Sequence, residues 1–286
     1  MQLEHTRTRY HRNFSYWKND EVIGENLREY GEYQQKEIDL LVGLLNSVNS
    51  KQKVVWDIGA NIGVHTMAFS KHSTFVCSWE ANPQNFKLLR MNTQGKLAPN
   101  VKVHNVAISN GKKDTIQIQD FDQSKSSNKG ELSIVEKGGV EISARSIDSY
   151  MMNYPLPSLI KIDVEGHELE VLQGALVMLK TVKPILYFET ADKGSYAEHI
   201  KFLKDLDYRM WWFACPNFNK NNYNKNDNNI WGRSVICSIL AMHKDVVGLN
   251  TIELQEVVDA DDHWLKMDWD YDTGLTRAIK KMTNDR

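Results

Sequence analysis

VVWDIGANIG, residues 54–63, joins a run of apolar residues to a loop that contains two glycines. The apolar run over residues 53–58 predicts a buried strand, and the pattern over residues 64–71 predicts a helix directly after the loop. A strand that meets a helix through such a turn is typical of the ligand crevice of α/β proteins. Gly59 and Gly63 let the backbone turn tightly and approach a ligand without a Cβ clash.

Similar apolar runs alternate with amphipathic stretches from about residue 36 to residue 213. This alternation is typical of an α/β, Rossmann-like architecture, in which helices cover both faces of a mainly parallel sheet. Buried strands are predicted over residues 53–58, 74–79, 101–107, 159–164 and 184–189. The clearest helix follows Gly166 and places four leucines on one face: Leu169, Leu172, Leu176 and Leu179.

Two segments depart from the alternation of strands and helices. Between Asp114 and Arg145, short alternating stretches broken by polar residues and glycines predict β-hairpins inserted at the sheet edge. Residues 217–229 are rich in asparagine and poor in apolar side chains, so they predict a mobile surface loop. A lid that orders over substrate is the alternative interpretation of that segment.

The chain divides into three predicted parts around one main domain. Residues 1–48 form an N-terminal entry segment, with an amphipathic helix over residues 32–45 that covers the sheet. Residues 49–245 form the main domain, and residues 246–286 form a C-terminal appendage. The appendage is expected to pack as a helix or an arm through its aromatic residues, Trp264, Trp269 and Tyr271.

Composition narrows the class of protein. The 286 residues are 41% hydrophobic with a net charge of -2, which is enough apolar material for a core but no basic field for nucleic acid. Cys77, Cys215 and Cys237 have no CxxC spacing, so neither a disulfide framework nor a zinc site is expected. No stretch approaches the roughly 18 apolar residues of a membrane span. We therefore expect a soluble, cytoplasmic protein; its oligomeric state stays open.

The charge of the glycine-containing loop indicates what it binds. Asp57 stands at the strand end and would repel a pyrophosphate, which argues against a nicotinamide dehydrogenase, but it would attract the cationic sulfonium and α-amino groups of S-adenosylmethionine (SAM). Glu80 follows 23 residues later at the end of the next predicted strand, where a carboxylate can accept both ribose hydroxyls. Asn82, Pro83 and Phe86 come next and can border an adenine.

A third polar segment, KIDVEGHE over residues 161–168, lies at another predicted junction of strand and helix. Period-two geometry points Asp163 and Glu165 to one side, and Gly166 permits a turn that brings His167 alongside. Together with Lys161, four ionisable groups at one strand end are costly unless they are solvated, paired or used in chemistry. A solvated helix N-terminus is the plain structural alternative.

These segments together resemble the FkbM family of SAM-dependent methyltransferases. The resemblance covers about residues 16 to 245. Its matching elements are DIGANIG (57–63), WEANP (79–83), VHNVAI (103–108), SID (146–148) and IKIDVEGHE (160–168). It implies a class I methyltransferase fold with a seven-stranded sheet, whose last, antiparallel strand would be residues 234–242. It also implies O-methylation of a hydroxyl on a sugar, glycolipid or polyketide-type molecule.

The resemblance also implies roles for the residues that match the family pattern. The loop residues Asp57, Gly59, Ala60, Asn61 and Gly63 would hold the methionine part of SAM, and Glu80 would bind the ribose. Asn82, Asn105 and Val106 would border the adenine, and Asp163 would reach the cofactor as well as the acceptor. Trp79 departs from the family, which usually has a phenylalanine or an aliphatic residue there.

Methyl transfer to an alcohol requires a positioned oxygen and removal of its proton. Our hypothesis assigns a cluster of Asp163, Glu165 and His167, with Lys161 beside it, as base and substrate anchor. The same carboxylates and imidazole can ligate Mg²⁺ or Mn²⁺, but the acidic pattern differs from that of metal-dependent O-methyltransferases, so no metal is expected.

The acceptor is expected to be a small molecule or a glycan. Aromatic residues of the entry segment lie among acids, an arrangement that suits sugars: Tyr16, Trp17, Tyr30 and Tyr33. Two alternatives stay open. An RNA 2′-O-methyltransferase would need a basic channel and a catalytic lysine, for which Lys161 is the candidate, and a non-catalytic SAM-binding protein would need no acceptor pocket.

Overall fold

A computed structural model describes residues 3–47, 52–130, 133–190, 196–246, 254–260, 262 and 270–271. Trp264 and Trp269, which carried part of the prediction for the appendage, lie outside the described residues. In the described part of the chain, no helix is both long and apolar enough to cross a membrane.

Short strands and helices alternate along the chain. The strands are β1 (Leu3–Thr6), β2 (Phe14–Trp17), β3 (Val54–Ile58), β4 (Phe75–Trp79), β5 (Val101–His104), β6 (Ala107–Ile108), β7 (Thr115–Ile118), β8 (Ile134–Val135), β9 (Val140–Arg145), β10 (Leu159–Ile162), β11 (Ile185–Glu189), β12 (Tyr208–Pro216), β13 (Val235–His243) and β14 (Gln255–Glu256). The helices are α1 (Ile23–Tyr30), α2 (Gln35–Ser47), α3 (Val64–His72), α4 (Pro83–Thr93), α5 (Glu168–Gln173), α6 (Leu176–Thr181) and α7 (Tyr196–Lys204).

The central sheet has the order β14-β12-β13-β11-β10-β3-β4-β5. Strands β5, β4, β3, β10 and β11 run parallel, and β13 runs antiparallel between β11 and β12. This is the strand order of class I methyltransferases, with the reversed strand at the position predicted for residues 234–242. The sheet has eight strands rather than seven, because the two-residue β14 adds to the free edge of β12.

Alternating side chains of the central strands reach cores on both faces of the sheet. In β3, Trp56 and Ile58 belong to one core with residues of α5, α6 and α7, whereas Val55 belongs to another with Leu41 of α2 and Phe69 of α3. The predicted cover of helices on both faces is therefore confirmed.

The single helix predicted after Gly166 is two helices, α5 and α6. Gly174 lies at the break, and a Cβ there would stand 2.0 Å from the carbonyl oxygen of Ser109. Gly174 thus packs directly against the Ser109 backbone between the end of α5 and the start of α6. Leu172 and Leu179 are fully buried as predicted, but Leu176 is 38% exposed, so the prediction of one continuous leucine face was wrong.

The predicted hairpins form a separate small sheet of order β6-β9-β7-β8 rather than an addition to the edge of the main sheet. The strand predicted over residues 101–107 ends at His104, and Ala107 pairs instead with Ala144 of β9. The chain leaves the main sheet there because the Asn105 side chain donates hydrogen bonds to the carbonyls of Glu80 and Ala81.

The asparagine-rich segment over residues 217–229 is hydrogen-bonded to the entry segment. The buried carboxylate of Glu32 accepts hydrogen bonds from Asn219 Nδ2 at 2.6 Å and from the backbone N–H of Tyr223 at 2.9 Å. The Asn224 backbone N–H donates to the carbonyl of Tyr30. Hydrogen bonds to α1 and its C-terminal turn therefore hold this loop, together with an edge-to-face contact between Phe218 and Tyr30.

Candidate active site

A cavity of about 430 Å³ opens at the carboxyl ends of β3, β4, β10 and β11. Other parts of the chain complete its wall: the start of α1, Tyr33, the start of α3, the loop around Asn128, the small sheet and the residues on either side of the asparagine-rich loop. Most of the predicted site residues line this cavity: Asp57, Gly59, Ala60, Asn61, Glu80, Asn82, Val106, Lys161, Asp163, Glu165 and His167. Gly63 and Asn105 do not line it.

The loop after β3 depends on its glycines. Gly59 has φ +77°, and a Cβ on it would stand 1.7 Å from the carbonyl oxygen of Asp163. Gly63 has φ +96°, and a Cβ on it would meet Leu89 of α4 at 2.8 Å. Gly59 therefore lets two strand ends touch, whereas Gly63 seats the start of α3 against α4.

Asp57 is completely buried at the end of β3. Its Oδ2 accepts a hydrogen bond of 2.6 Å from the Thr66 hydroxyl, which lies 3.0 Å from the Ser78 hydroxyl. Its Oδ1 is buried and has no hydrogen-bond partner among the described residues. Burial raises the pKa of Asp57, an effect that the nearby positive charge of Lys161 opposes.

Glu80 follows β4 and connects two loops through backbone hydrogen bonds. One carboxylate oxygen accepts from the N–H of Asn61 and the other from the N–H of Asn82, both at 2.8 Å. The residue is 8% exposed, and burial raises its pKa to about 7 despite these two hydrogen bonds.

The side chains of Asn82 and Asn105 form hydrogen bonds within the protein. Asn82 is the N-cap of α4, where its Oδ1 accepts from the backbone N–H groups of Gln84 and Asn85. Asn105 holds the backbone at the end of β4. Pro83 and Phe86, which were also assigned to the adenine, are not among the residues that line the cavity. Of the five assigned residues, only Val106 therefore offers the cavity an uncommitted side chain.

Lys161 and Asp163 form an ion pair of 2.9 Å beside the cavity. Lys161 is 3% exposed; burial would lower its pKa, but the carboxylates of Asp163, Glu37 and Asp57 raise it overall. Burial would likewise raise the pKa of Asp163, but Lys161 lowers it below its ordinary value. The pair is therefore fully charged at neutral pH.

Glu189, at the end of β11, is a site residue that the sequence reasoning missed. It lines the cavity and shares a side-chain hydrogen bond with Asp163. Burial, together with the negative charges of Asp163 and Glu165, raises its pKa well above the ordinary value of a glutamate. Its position as the last residue of a predicted strand on the same sheet edge was the available signal.

The turn after β10 has an unusual backbone. Glu165 has φ +51° and Gly166 has φ +85°, so two successive residues are left-handed, and the first has a side chain. The buried Glu168 carboxylate stabilises this turn by accepting from the N–H groups of Val164 at 3.2 Å and Gly166 at 3.3 Å. A left-handed residue of this kind costs roughly 1–3 kcal/mol and is common at functional sites.

His167 lines the cavity, but both of its ring nitrogens have partners. Nε2 lies 2.8 Å from the Ser109 hydroxyl, and Nδ1 lies 3.4 Å from a Glu170 carboxylate oxygen. Burial lowers the pKa of His167, against the opposing charge of Glu170, so the ring is neutral at neutral pH.

The predicted aromatic surface of the entry segment does not form. Tyr16, Trp17 and Tyr30 are at most 3% exposed, and each uses its polar atom inside the protein. For example, Trp17 Nε1 donates to Asn85 Oδ1 at 2.8 Å. Of the four aromatic residues, only Tyr33 lines the cavity, where burial and the acids Glu189 and Asp163 raise its pKa.

Among the described residues, no group of three or more histidine, cysteine, aspartate or glutamate side chains is arranged to hold a metal ion. The strand order and the cavity at the carboxyl ends of the parallel strands define a class I methyltransferase. The chain belongs to the FkbM methyltransferase family, because the family's Methyltransferase FkbM domain matches residues 57–210, more than half of the chain.

Similar proteins differ in how much of the chain they cover. The hexuronic acid methyltransferase AglP of Haloferax volcanii is 30% identical over 149 residues, which are 51% of this chain and 59% of AglP. The alignment thus spans less than two thirds of that relative.

Two solved structures resemble the fold. Methyltransferase FkbM from Methylobacillus flagellatus KT is 20% identical with a TM-score of 0.44, covering 68% of this chain and 45% of its own. SMU.1697c, a putative methyltransferase from Streptococcus mutans in complex with SAH, is 13% identical with a TM-score of 0.43, covering 72% and 97%.

Proposed function

We propose that this protein is a SAM-dependent O-methyltransferase that acts on a hydroxyl of a sugar, a glycolipid or a polyketide-type small molecule. The observation that carries the proposal is the excess of acidic over basic side chains in the cavity lining. Within the described residues, one lysine, Lys161, stands in its lining against five carboxyl groups: Asp57, Glu80, Asp163, Glu165 and Glu189. The sulfonium and α-amino groups of SAM are cationic, so this lining favours SAM over an anionic ligand.

The residues fit SAM at three points. Asp57 Oδ1 is buried without a hydrogen-bond partner among the described residues, and an α-amino group would supply one. Glu80 already accepts one backbone N–H at each oxygen, but a carboxylate oxygen can accept a second hydrogen bond, here from a ribose hydroxyl. Val106 and Ile108 give the cavity an apolar wall that suits an adenine.

Bound SAM would supply a methyl group on a positively charged sulfur. The main task of the chain is then to hold the acceptor oxygen about 3 Å from that methyl, opposite the sulfur. Asp163 is the first candidate to accept the hydroxyl proton, because Lys161 keeps it ionised, and Glu165 is beside it in the turn. Lys161 is a positioning residue, since its raised pKa keeps it protonated.

His167 ranks behind Asp163 as a base. A neutral imidazole can accept a proton, but Ser109 and Glu170 already contact its two nitrogens, so the acceptor would have to displace one of them. Support for a sugar acceptor comes from the relative AglP, which is a hexuronic acid methyltransferase.

Thermal shift tests the cofactor first. We expect SAM and S-adenosylhomocysteine, but not NAD, to raise the melting temperature. Asp57→Asn should remove most of that shift, whereas Asp205→Asn, at an exposed site after α7, should keep it. Stabilisation by NAD alone would contradict the proposal.

Turnover tests the chemistry next, with a panel of glycosides and phenols as acceptors and mass spectrometry to locate the methyl group. Asp163→Asn, Glu165→Gln and His167→Ala should be compared one at a time, with SAM binding measured in parallel. Full turnover in all three variants would contradict the assigned cluster. Turnover with RNA and retention on heparin at moderate salt would indicate an RNA methyltransferase instead.

A further inference from the structure

The two ends of the asparagine-rich loop meet at the cavity. The Asn217 backbone N–H donates to the carbonyl of Ser234 at 3.1 Å, and the Ser234 N–H donates to the carbonyl of Trp231 at 3.1 Å. All three residues line the cavity. Through Ser234, these two hydrogen bonds connect the backbones of Asn217 and Trp231 beside the cavity.

Both side chains present a buried polar atom that has no hydrogen-bond partner in the described part of the chain. These atoms are Asn217 Oδ1, which is an acceptor, and Trp231 Nε1, which is a donor. The orientation of the amide is fixed, because Asn217 Nδ2 donates to the Ser234 hydroxyl at 3.0 Å. An unsatisfied buried group costs roughly 1–3 kcal/mol, so an atom on the cavity wall that lacks a partner indicates a ligand that supplies one.

A donor and an acceptor on two residues of the same cavity lining favour a particular kind of ligand group. A hydroxyl can accept from Trp231 Nε1–H and donate to Asn217 Oδ1 at the same time. A carboxylate can accept from the indole but has no hydrogen to give the amide oxygen. The indole also offers a flat apolar surface of the kind that the C–H faces of sugars pack against.

The charged side chains around the cavity also favour a neutral ligand over a carboxylate. Among the described residues that line the cavity, the one lysine is Lys161, and it already forms an ion pair of 2.9 Å with Asp163. The imidazole of His65 lies 3.0 Å from the Glu37 carboxylate, and His167 is neutral. An acceptor carboxylate would therefore find no unpaired basic side chain among the described lining residues, which is costly for a buried charge.

We propose that Asn217 and Trp231 form the acceptor subsite and that this subsite takes a neutral, hydroxyl-bearing sugar rather than a uronic acid. The inference rests on the proposed function, because it assigns the acceptor of that same cavity. It also separates this protein from the relative AglP, whose name specifies hexuronic acid.

The test measures binding of two probes by calorimetry, with and without saturating S-adenosylhomocysteine. The probes are methyl glucoside and the methyl glycoside of glucuronic acid at pH 7.5. We expect the wild type to bind the glucoside at least tenfold more tightly than the glucuronide. Trp231→Phe, which keeps a ring but removes the N–H, should weaken glucoside binding about tenfold and leave S-adenosylhomocysteine binding unchanged.

Trp212→Phe is the matched control. Trp212 Nε1 is also buried without a hydrogen-bond partner among the described residues, but Trp212 lies in the core and not on the cavity wall. Glucoside binding should therefore survive this change. Equal or tighter binding of the glucuronide, binding of neither probe, or equal losses in the two variants would overturn the inference. Failure of S-adenosylhomocysteine to bind would instead overturn the proposed cofactor.

Discussion

The carbonyl oxygen of Asp163 occupies the space in which Gly59 would carry a side chain, 1.7 Å from the Cβ position. The loop after β3 and the turn after β10 thus meet backbone to backbone at this point. Gly59→Ala would force them apart and would also place alanine at φ +77°. We expect a loss of more than about 1 kcal/mol in the free energy of unfolding and loss of SAM binding, measured by denaturant titration and thermal shift.

Gly43→Ala is the control for that change. Gly43 lies in α2, and a Cβ there would meet nothing within 4 Å. Alanine should therefore stabilise the helix by roughly 0.5–1 kcal/mol and leave SAM binding unchanged. Equal behaviour of the two variants would show that the contact between Gly59 and Asp163 has no structural role.

Lys161→Met should destabilise the protein strongly. The change leaves Asp163 without its ion-pair partner and Asp57 without the positive charge that offsets its burial. Removing one partner of a buried pair costs about 3–5 kcal/mol, and urea unfolding measures the loss. Lys102→Met on the exposed side of β5 is the control and should change stability by no more than about 0.5 kcal/mol. A small loss of stability in Lys161→Met would mean that water solvates the carboxylates of Asp163 and Asp57 and takes over the role of the lysine.

Glu80→Gln should alter how stability depends on pH. Glu80 has a pKa of about 7 in the folded protein, against 4.5 for an unperturbed glutamate, so the folded state binds the proton more tightly. This contribution to stability is fully present below pH 4.5 and is lost as the pH rises through 7. Relative to Glu80→Gln, the wild type should lose up to about 1.4 kcal/mol per pH unit between these values. Parallel profiles from pH 4.5 to 7 would refute this expectation.

Glu189→Gln should leave turnover and the melting temperature at pH 7 nearly unchanged, whereas Glu189→Leu should lower turnover. Burial raises the pKa of the Glu189 carboxyl well above its ordinary value, so we expect this group to hold its proton and a glutamine amide to replace its hydrogen bond to Asp163. Leucine removes that hydrogen bond and should reduce turnover. Comparison of kcat and of the melting temperature for the two variants checks this. A large loss in Glu189→Gln would show that ionised Glu189 is needed.

The sequence was sufficient for features that depend on local period and on strand ends. The position of β3, the turn at Gly59 and the meeting of Asp57, Glu80 and Asp163 at one sheet edge all follow from the hydrophobic pattern and the rule that parallel strands end on the same side. The reversed strand, β13, came from the family resemblance.

Features that depend on contacts between distant segments could not be predicted from the sequence. The break at Gly174 depends on a carbonyl of Ser109, and the burial of Trp17 depends on a hydrogen bond to Asn85. Composition correctly marks residues 217–229 as poor in apolar side chains, but it does not reveal that Glu32 supplies their hydrogen bonds.

Glu32 joins two segments that lie 187 residues apart in the chain, since it accepts from Asn219 and is also 3.5 Å from Arg9. A chimera that received the loop over residues 217–229 from a relative, without the matching entry segment, would bury the Glu32 carboxylate without its amide donors. We therefore expect that a change of acceptor requires the loop and the entry segment to be exchanged together. The strand ends that are proposed to bind the cofactor can stay as they are.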